Sequence, residues 1–572
     1  MATSVSQREV SGRRGISPLL LWLLPLAFLA LFFFYPLARI LGLGAEAAAS
    51  QGLGWQALGR VWRPLSFTVY QATLSTLLTL LVGLPAAYVF ARFIFPGKRL
   101  LRVLTTLPFI LPTVVVAASF NALLGPNGWA NLALERLLNL PEPPIHLLNT
   151  LPAILLAHVF YNTTIIIRVV GAAWEQLDQR LEGAARVLGA SSWRAFWEVT
   201  LPLLRPALLS ALLLVFMFDF TSFGVILLLG GPQFATLEVE IYIQALNMLN
   251  LPLAGLLSTI QLLFTLLLTV AYSRVNGQRA IPLAPRVQGE GMRPPRSWRE
   301  RLLVGGVVVV LALLLVLPLA SLGLRSVSRL EANRGERGGF TPGFTLDYYQ
   351  ELFINRRGSL FYVPPIAAAR NSLVYAGVTV LISLTLGALA ASSLAQPSRL
   401  NRLLDPLLML PLGASAVTLG LGFIVTFNRP PLDVRTFPLL IPVAHSLVAL
   451  PFVVRTLQPA LASIPASLRQ AAAVLGASPF RVWREVDLPI VARAAMVSAI
   501  FSFTISLGEF GATSFLARPE YPTLPIAIYR FLSLPGALNY GQAMAMSTLL
   551  MLVCAISILL LERIRLPGGT EF

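Results

Sequence analysis

Apolar runs of about 20 residues recur along the whole chain, and each is long enough to cross roughly 30 Å of hydrocarbon as a helix. They fall near 16–43, 65–92, 101–124, 148–172, 204–230 and 251–273, and again near 302–324, 366–394, 402–427, 438–458, 491–515 and 540–561. Backbone groups in lipid must be paired within the segment, so runs of this length dictate helices. The expected fold is an all-α polytopic membrane protein of about 12 transmembrane helices in two sets of six.

Composition agrees with that reading. Of 572 residues, 56% are hydrophobic and only 12% charged, far from the usage of a soluble domain. A net charge of +18 would suggest nucleic acid in a soluble protein. Here, however, Lys and Arg sit in short segments between apolar runs, which marks topology and excludes a nucleic-acid partner. The single cysteine, Cys554, lies in the last run and permits neither a disulfide framework nor a Cys-based metal site. Arg8, Arg13 and Arg14 precede the first run, which continues without a cleavage site and reads as a retained span.

The basic, proline-rich stretch 274–301 reads as a cytoplasmic linker. Counting spans from it places both termini, Arg92–Arg102, Arg399–Arg402 and the loops 173–203 and 459–490 inside. The expected organisation is an N-terminal segment with the first span (1–64), a first transmembrane domain (65–273), the linker (274–301), a seventh span with an external loop (302–365), a second transmembrane domain (366–561) and a tail (562–572).

The two sets repeat one another. Leu181–Pro202 aligns without gaps on Leu468–Pro489 at an offset of 287, with 13 of 22 positions identical. The same offset pairs His158 with His445, Arg168 with Arg455, Gly224 with Gly511, Thr236 with Thr523 and Tyr242 with Tyr529. Units with an even number of spans lie parallel, related by an axis along the membrane normal.

Within the repeated loop, Ala184, Ala185, Ala471 and Ala472 belong to helix-forming stretches, and Gly189 and Gly476 can take a left-handed C-cap before Ala190 and Ala477. Ser191 and Ser478 can cap a second short helix, with Trp193, Phe196 and Trp197, or Phe480 and Trp483, on its apolar face. Leu201-Pro202 and Leu488-Pro489 are expected to close that helix before the next span. An exposed amphipathic helix of this kind suits a groove on another protein, and two copies imply two grooves.

The pattern AA-x-x-x-G followed after eleven residues by LP resembles the EAA loop of type I ABC importer permeases, in both halves. SLGEFG (Ser506–Gly511), Phe223-Gly224, Gly230-Gly231-Pro232, and Thr236-Leu237 through Tyr242 look most like the fused ferric-iron and thiamine permeases. The resemblance implies two copies of a separate ABC ATP-binding subunit holding ATP and magnesium, with no cofactor on this chain. It also implies an extracytoplasmic solute-binding protein and a multi-pass position in a bacterial or archaeal plasma membrane. Gly183 and Gln470 stand where that motif usually has Glu. The chain has no phosphate-binding G-x-x-x-x-G-K-[ST] loop, so it is expected not to be an enzyme.

The resemblance leaves the solute open between ferric iron or thiamine and another such as molybdate or sulfate; from the residues alone, an ion-coupled carrier is the rival. Asp219 and Glu509, in the outer part of the spans after each loop, are candidates for the pathway or for helix capping. His158 and His445 form a poor metal pair and are expected to bond between helices. Arg168 and Arg455 are expected to snorkel to the cytoplasmic face. The prolines of Leu107–Pro112 and Pro411 are expected to kink the third and ninth spans.

Overall fold

A computed structural model describes residues 18–50, 55–231, 233–277, 292–330, 343–355, 364–396 and 398–564. The N-terminal arginines, Pro232, most of the linker and the end of the tail lie outside these residues, as do parts of the external loop.

Among the described residues the chain is helical apart from two short antiparallel strand pairs, Ser328–Arg329 with Gly343–Phe344 and Asn428–Arg429 with Leu432–Asp433. Among the described residues ten helices are long and apolar enough to cross a membrane, in chain order Leu20–Ala49, Gly59–Arg92, Leu151–Gln176, Ser192–Phe220, Leu251–Val275, Trp298–Ser326, Pro365–Leu394, Leu440–Ala462, Phe480–Gly508 and Ala537–Leu561. The remaining two apolar runs are broken pairs. Lys98–Ile110 and Thr113–Leu138 meet at 113°, and Arg399–Gly413 and Ala416–Thr426 at 96°.

The third and ninth spans are therefore broken where only kinks were expected. The reason is local. Leu111 and Pro112 both take extended backbone, the first because the residue before proline is pushed out of the helical region. At the other break Ala414 is extended, and Ser415 accepts a hydrogen bond from the Thr418 amide at 3.0 Å, starting a new helix. The runs 204–230 and 491–515 also divide, ending at Phe220 and Gly508 and restarting as Gly224–Leu229 and Gly511–Leu516.

The two halves exchange their first helices. Leu20–Ala49 packs on Pro365–Leu394 and Ala416–Thr426 of the second half as well as on Leu251–Val275, while Trp298–Ser326 packs on Lys98–Ile110 and Thr113–Leu124 of the first. Trp22 Nε1 donates to Asn401 Oδ1 at 2.8 Å, and Phe32 meets Phe423 and Phe427. The described end of the linker is sewn to the first half. Ile94 N donates to Arg293 O (3.0 Å), Arg293 N to Arg92 O (3.2 Å), and the Arg293 guanidinium forms a two-pronged bond to Glu300 at 2.9 and 2.5 Å.

Inside each half the second span lies against the fourth with almost no gap. A Cβ on Gly83 would sit 2.6 Å from Ile166 Cβ, and one on Gly387 would sit 2.4 Å from Val453 Cγ1. Small residues permit this approach where lipid offers no hydrophobic drive for helix association. Gly83→Val or Gly387→Val should push the helices apart at a cost of about 1–3 kcal/mol. A thermal scan of the purified protein should show a fall of several degrees for either variant, and no fall for Gly59→Ala, where a Cβ meets nothing.

Candidate functional site: two repeated loops and a central cavity

Each repeated loop folds as helix, turn, helix. Helix Gln179–Val187 ends on Gly189 with φ +93°, and Ala466–Val474 ends on Gly476 with φ +78°. In the first loop the Ala190 amide donates to Ala185 O and the Gly189 amide to Arg186 O, both at 3.0 Å. In the second, Ala477 N to Ala472 O and Gly476 N to Ala473 O repeat the pair, again at 3.0 Å. This is the Schellman closure, and the left-handed residue at its centre favours glycine. Ser191 Oγ then accepts from the Arg194 amide (3.2 Å) and Ser478 Oγ from Arg481 N (3.3 Å), starting the second helix.

That helix is not closed by Leu-Pro as expected. It runs unbroken into the next span through one wide turn, Phe196–Thr200 or Trp483–Asp487, in which Leu201 N bonds back to Phe196 O and Leu488 N to Trp483 O. Pro202 and Pro489 carry no amide hydrogen and would clash in a normal turn, so the local widening accommodates them.

The tips present what composition did not single out. Val187 and Leu188 are each 88% exposed, and Val474 and Leu475 are 88% and 86% exposed. Trp193, Trp197, Phe480 and Trp483 flank them and are also exposed. Glu182, the acidic residue nearest the motif's usual Glu position, is turned inward onto Arg92 at 3.3 Å. Ala184, Ala185, Ala471 and Ala472 form the last turns of the first helices, and Pro202 and Pro489 stand at the start of the spans.

At the other end of those spans lies a cavity of about 410 Å³ between the halves, with Asp219 and Glu509 among its lining residues. Its far end, remote from the docking loops, is crossed by the rings of Phe223 and Phe510. These occupy the same position in the two repeats and stack at 5.6 Å with planes 22° apart. Tyr242 and Tyr529 pack on them at 5.3 and 5.5 Å.

Both acids are buried at 1% and 8% exposure, and each belongs to a small polar cluster built on a histidine. Asp219 Oδ1 accepts from Asn162 Nδ2 at 2.6 Å and lies 3.4 Å from His158 Nδ1, while His158 Nε2 bonds Ser222 at 2.8 Å. Glu509 accepts from the Ala512 and Thr513 amides at 2.8 and 2.9 Å, capping the helix Gly511–Leu516. It also lies 3.2 Å from His445 Nε2, and His445 Nδ1 bonds Ser506 at 2.7 Å. At the 287-residue offset Asp219 corresponds to Ser506 and Ser222 to Glu509. Each half thus holds one histidine, one acid and one serine, with acid and serine exchanged.

The histidines do bond between helices, and among the described residues no group of three or more His, Cys, Asp or Glu is placed to hold a metal ion. Arg168 donates to Thr106 Oγ1 at 2.7 Å and Arg455 to Asp405 at 3.3 Å. Sequence reasoning missed Glu238, which is fully buried between the halves, bonded to Gln261 and to Ser415 of the second half at 3.2 Å. A lone acid beside Glu240 in a short polar stretch carries no signal of that burial.

Thr513 joins the second cluster twice, its hydroxyl donating to Glu509 at 2.5 Å and meeting His445 Nε2 at 2.8 Å. Thr513→Val leaves two buried groups short of a partner and should cost about 1–3 kcal/mol. Thr513→Ser should restore most of the lost melting temperature.

Residues 79–278 and 383–566 match the family described as binding-protein-dependent transport system inner membrane component. The chain is 28% identical over 548 residues to the thiamine transport system permease protein of Brucella abortus (strain 2308), covering 94% of each. It is 27% identical over 514 residues to the protein of that name from Escherichia coli (strain K12), covering 89% of each chain, and 27% over 560 residues to that of Salmonella typhimurium, covering 96% and 97%. With one match in each half, over residues 79–278 and 383–566, the chain belongs to the binding-protein-dependent transport system inner membrane components, the permeases of ABC importers.

Proposed function

We propose that this permease imports thiamine, delivered by an extracytoplasmic solute-binding protein and driven by two copies of an ATP-binding subunit seated on the two docking loops. The observation that carries the docking is the pair of matched loop tips. Val187-Leu188 and Val474-Leu475 stand out from the same glycine-closed turn in both halves, almost wholly exposed. A leucine kept in water at such a tip gains about 1.5–3 kcal/mol when a cleft covers it. The partner is held by shape and apolar burial, since Gly183 and Gln470 offer no carboxylate and Glu182 is engaged by Arg92.

The continuous helices Ser192–Phe220 and Phe480–Gly508 give the coupling its mechanical form. Each runs from an ATPase contact at one end to the wall of the cavity at the other, so closure of the ATPase pair moves Asp219, Ser222, Ser506 and Glu509 together with their loops. The states that admit solute from outside and release it inside are then biased by ATP and by the loaded binding protein. Both docking loops, the linker and both termini lie on the cytoplasmic side of a bacterial or archaeal plasma membrane in this reading. The thiamine assignment is supported by the relatives' names and by their coverage of nearly the whole chain.

In proteoliposomes holding the permease, its ATPase and the binding protein, ATP should drive thiamine uptake. Leu188→Glu with Leu475→Glu should lower uptake more than tenfold and abolish co-purification of the ATPase. Gly189→Val with Gly476→Val should act in the same direction by straining the turn. Thiamine uptake that proceeds without ATP, or that survives all four changes, defeats the assignment.

A further inference from the structure

The cavity walls carry a chemical selectivity of their own. Each half contributes one aromatic pair: Phe109 with Phe218 from the first, ring centroids 6.1 Å apart, and Phe452 with Phe501 from the second at 5.4 Å. Phe109 and Phe218 are 41% and 37% exposed, so much of each ring is not covered by other side chains. One acid from each half, Asp219 and Glu509, also lines the space. Among the described lining residues there is no Lys or Arg. The partners found for the two carboxylates are amides, hydroxyls and histidine rings.

Those features together discriminate between solute classes. An oxyanion would meet two acids and the negative faces of aromatic rings, with no compensating cation. A bare or hydrated metal ion needs several oxygen or nitrogen ligands converging on one point, and no such cluster exists among the described residues. A flat organic ring bearing a positive charge gains on both counts, because ring faces attract cations and the acids supply the opposite charge in a desolvated space. The volume, about 410 Å³, falls within the range of about 300–1,000 Å³ usual for small organic ligands.

We infer that the central cavity is itself a recognition site for aromatic organic cations, which holds the charged ring of the solute between Phe109–Phe218 and Phe452–Phe501 with Asp219 and Glu509 as counter-charges. This rests on the thiamine reading only for the identity of the cation. Selection then occurs twice, once at the binding protein and again within the permease.

The test uses the permease–ATPase complex in detergent without the binding protein, titrated calorimetrically with thiamine, with its uncharged thiophene isostere, with tetraethylammonium and with sulfate. Thiamine and tetraethylammonium should bind saturably, the isostere at least tenfold more weakly than thiamine, and sulfate not at all. The Asp219→Asn, Glu509→Gln double variant should bring thiamine down to the level of the isostere. Phe452→Leu and Phe501→Leu should weaken thiamine at least threefold more than the isostere, whereas Phe452→Trp should keep the preference. If the double variant does not fold, Glu509→Gln alone, with a smaller loss in the same direction, carries the test together with the Phe variants. Equal binding of thiamine and isostere, or a charge preference that survives removal of the carboxylates, overturns the inference. ATP-driven thiamine uptake alongside such a result leaves the importer reading standing. Carboxylate-dependent binding of tetraethylammonium without thiamine binding shows a charge site with no selection for an aromatic ring and likewise overturns the inference.

Discussion

An unpaired amide or carbonyl costs several kcal/mol in hydrocarbon, and the arrangement of this molecule follows from where that cost is met. Long helices meet it internally. The chain breaks at Leu111-Pro112, Thr221–Phe223, Ala414-Ser415 and Glu509-Phe510; three of these line the central cavity, and the helix that follows Ala414-Ser415 reaches it at Ala416. There the released backbone groups are taken up by side chains. Tyr161 donates to Leu111 O at 3.2 Å, Gln71 to Asp219 O at 2.8 Å, Ser415 accepts the Thr418 amide, and Glu509 accepts two amides. Polar residues at membrane depth are thus first of all the means by which the spans can be interrupted next to the pathway.

The close approach of Gly83 to Ile166 and of Gly387 to Val453 fixes the second span to the fourth in each half, immediately before a docking loop. The exchanged first helices then bind each half to the other. The two long helices that follow the repeated loops, Ser192–Phe220 and Phe480–Gly508, end just before the stacked rings of Phe223 and Phe510.

Much of this was legible in the sequence, for identifiable reasons. The apolar runs reveal the spans because length and hydropathy are local properties. The 287-residue offset reveals the symmetry. The glycine-closed turn with its serine cap follows from residue chemistry at Gly189, Ser191, Gly476 and Ser478, and the histidines bond between helices as expected. What escaped depends on the partner across space. Proline content at Pro108, Pro112, Pro406 and Pro411 signals a disturbance but not its angle. The exchange of first helices leaves no mark in a hydropathy profile, since a helix facing lipid on most sides looks alike against either half. The wide turn at Phe196–Thr200 reverses the expectation from Leu201-Pro202, because a helix can widen around a proline as well as stop at it. Glu238 is buried only because Gln261 and Ser415 come from distant segments to receive it. From sequence, Asp219 and Glu509 fit helix capping and the pathway alike. The geometry gives both acids hydrogen-bonded structural duties and a place on the cavity wall.

The fusion of the two halves has a consequence in the paired clusters of His158 and His445. A permease assembled from two identical subunits must place the same residue at every symmetry-related position. It could carry two acids at the site of Asp219 and none at that of Glu509, or the reverse, so like charges would face one another at one level of the pathway. Joining the halves in one chain lifts that obligation. Here the acid stands three residues further along in the second half than in the first, while each histidine keeps both an acidic and a serine partner. One carboxylate per half, at non-equivalent positions, is an arrangement that exact two-fold symmetry forbids.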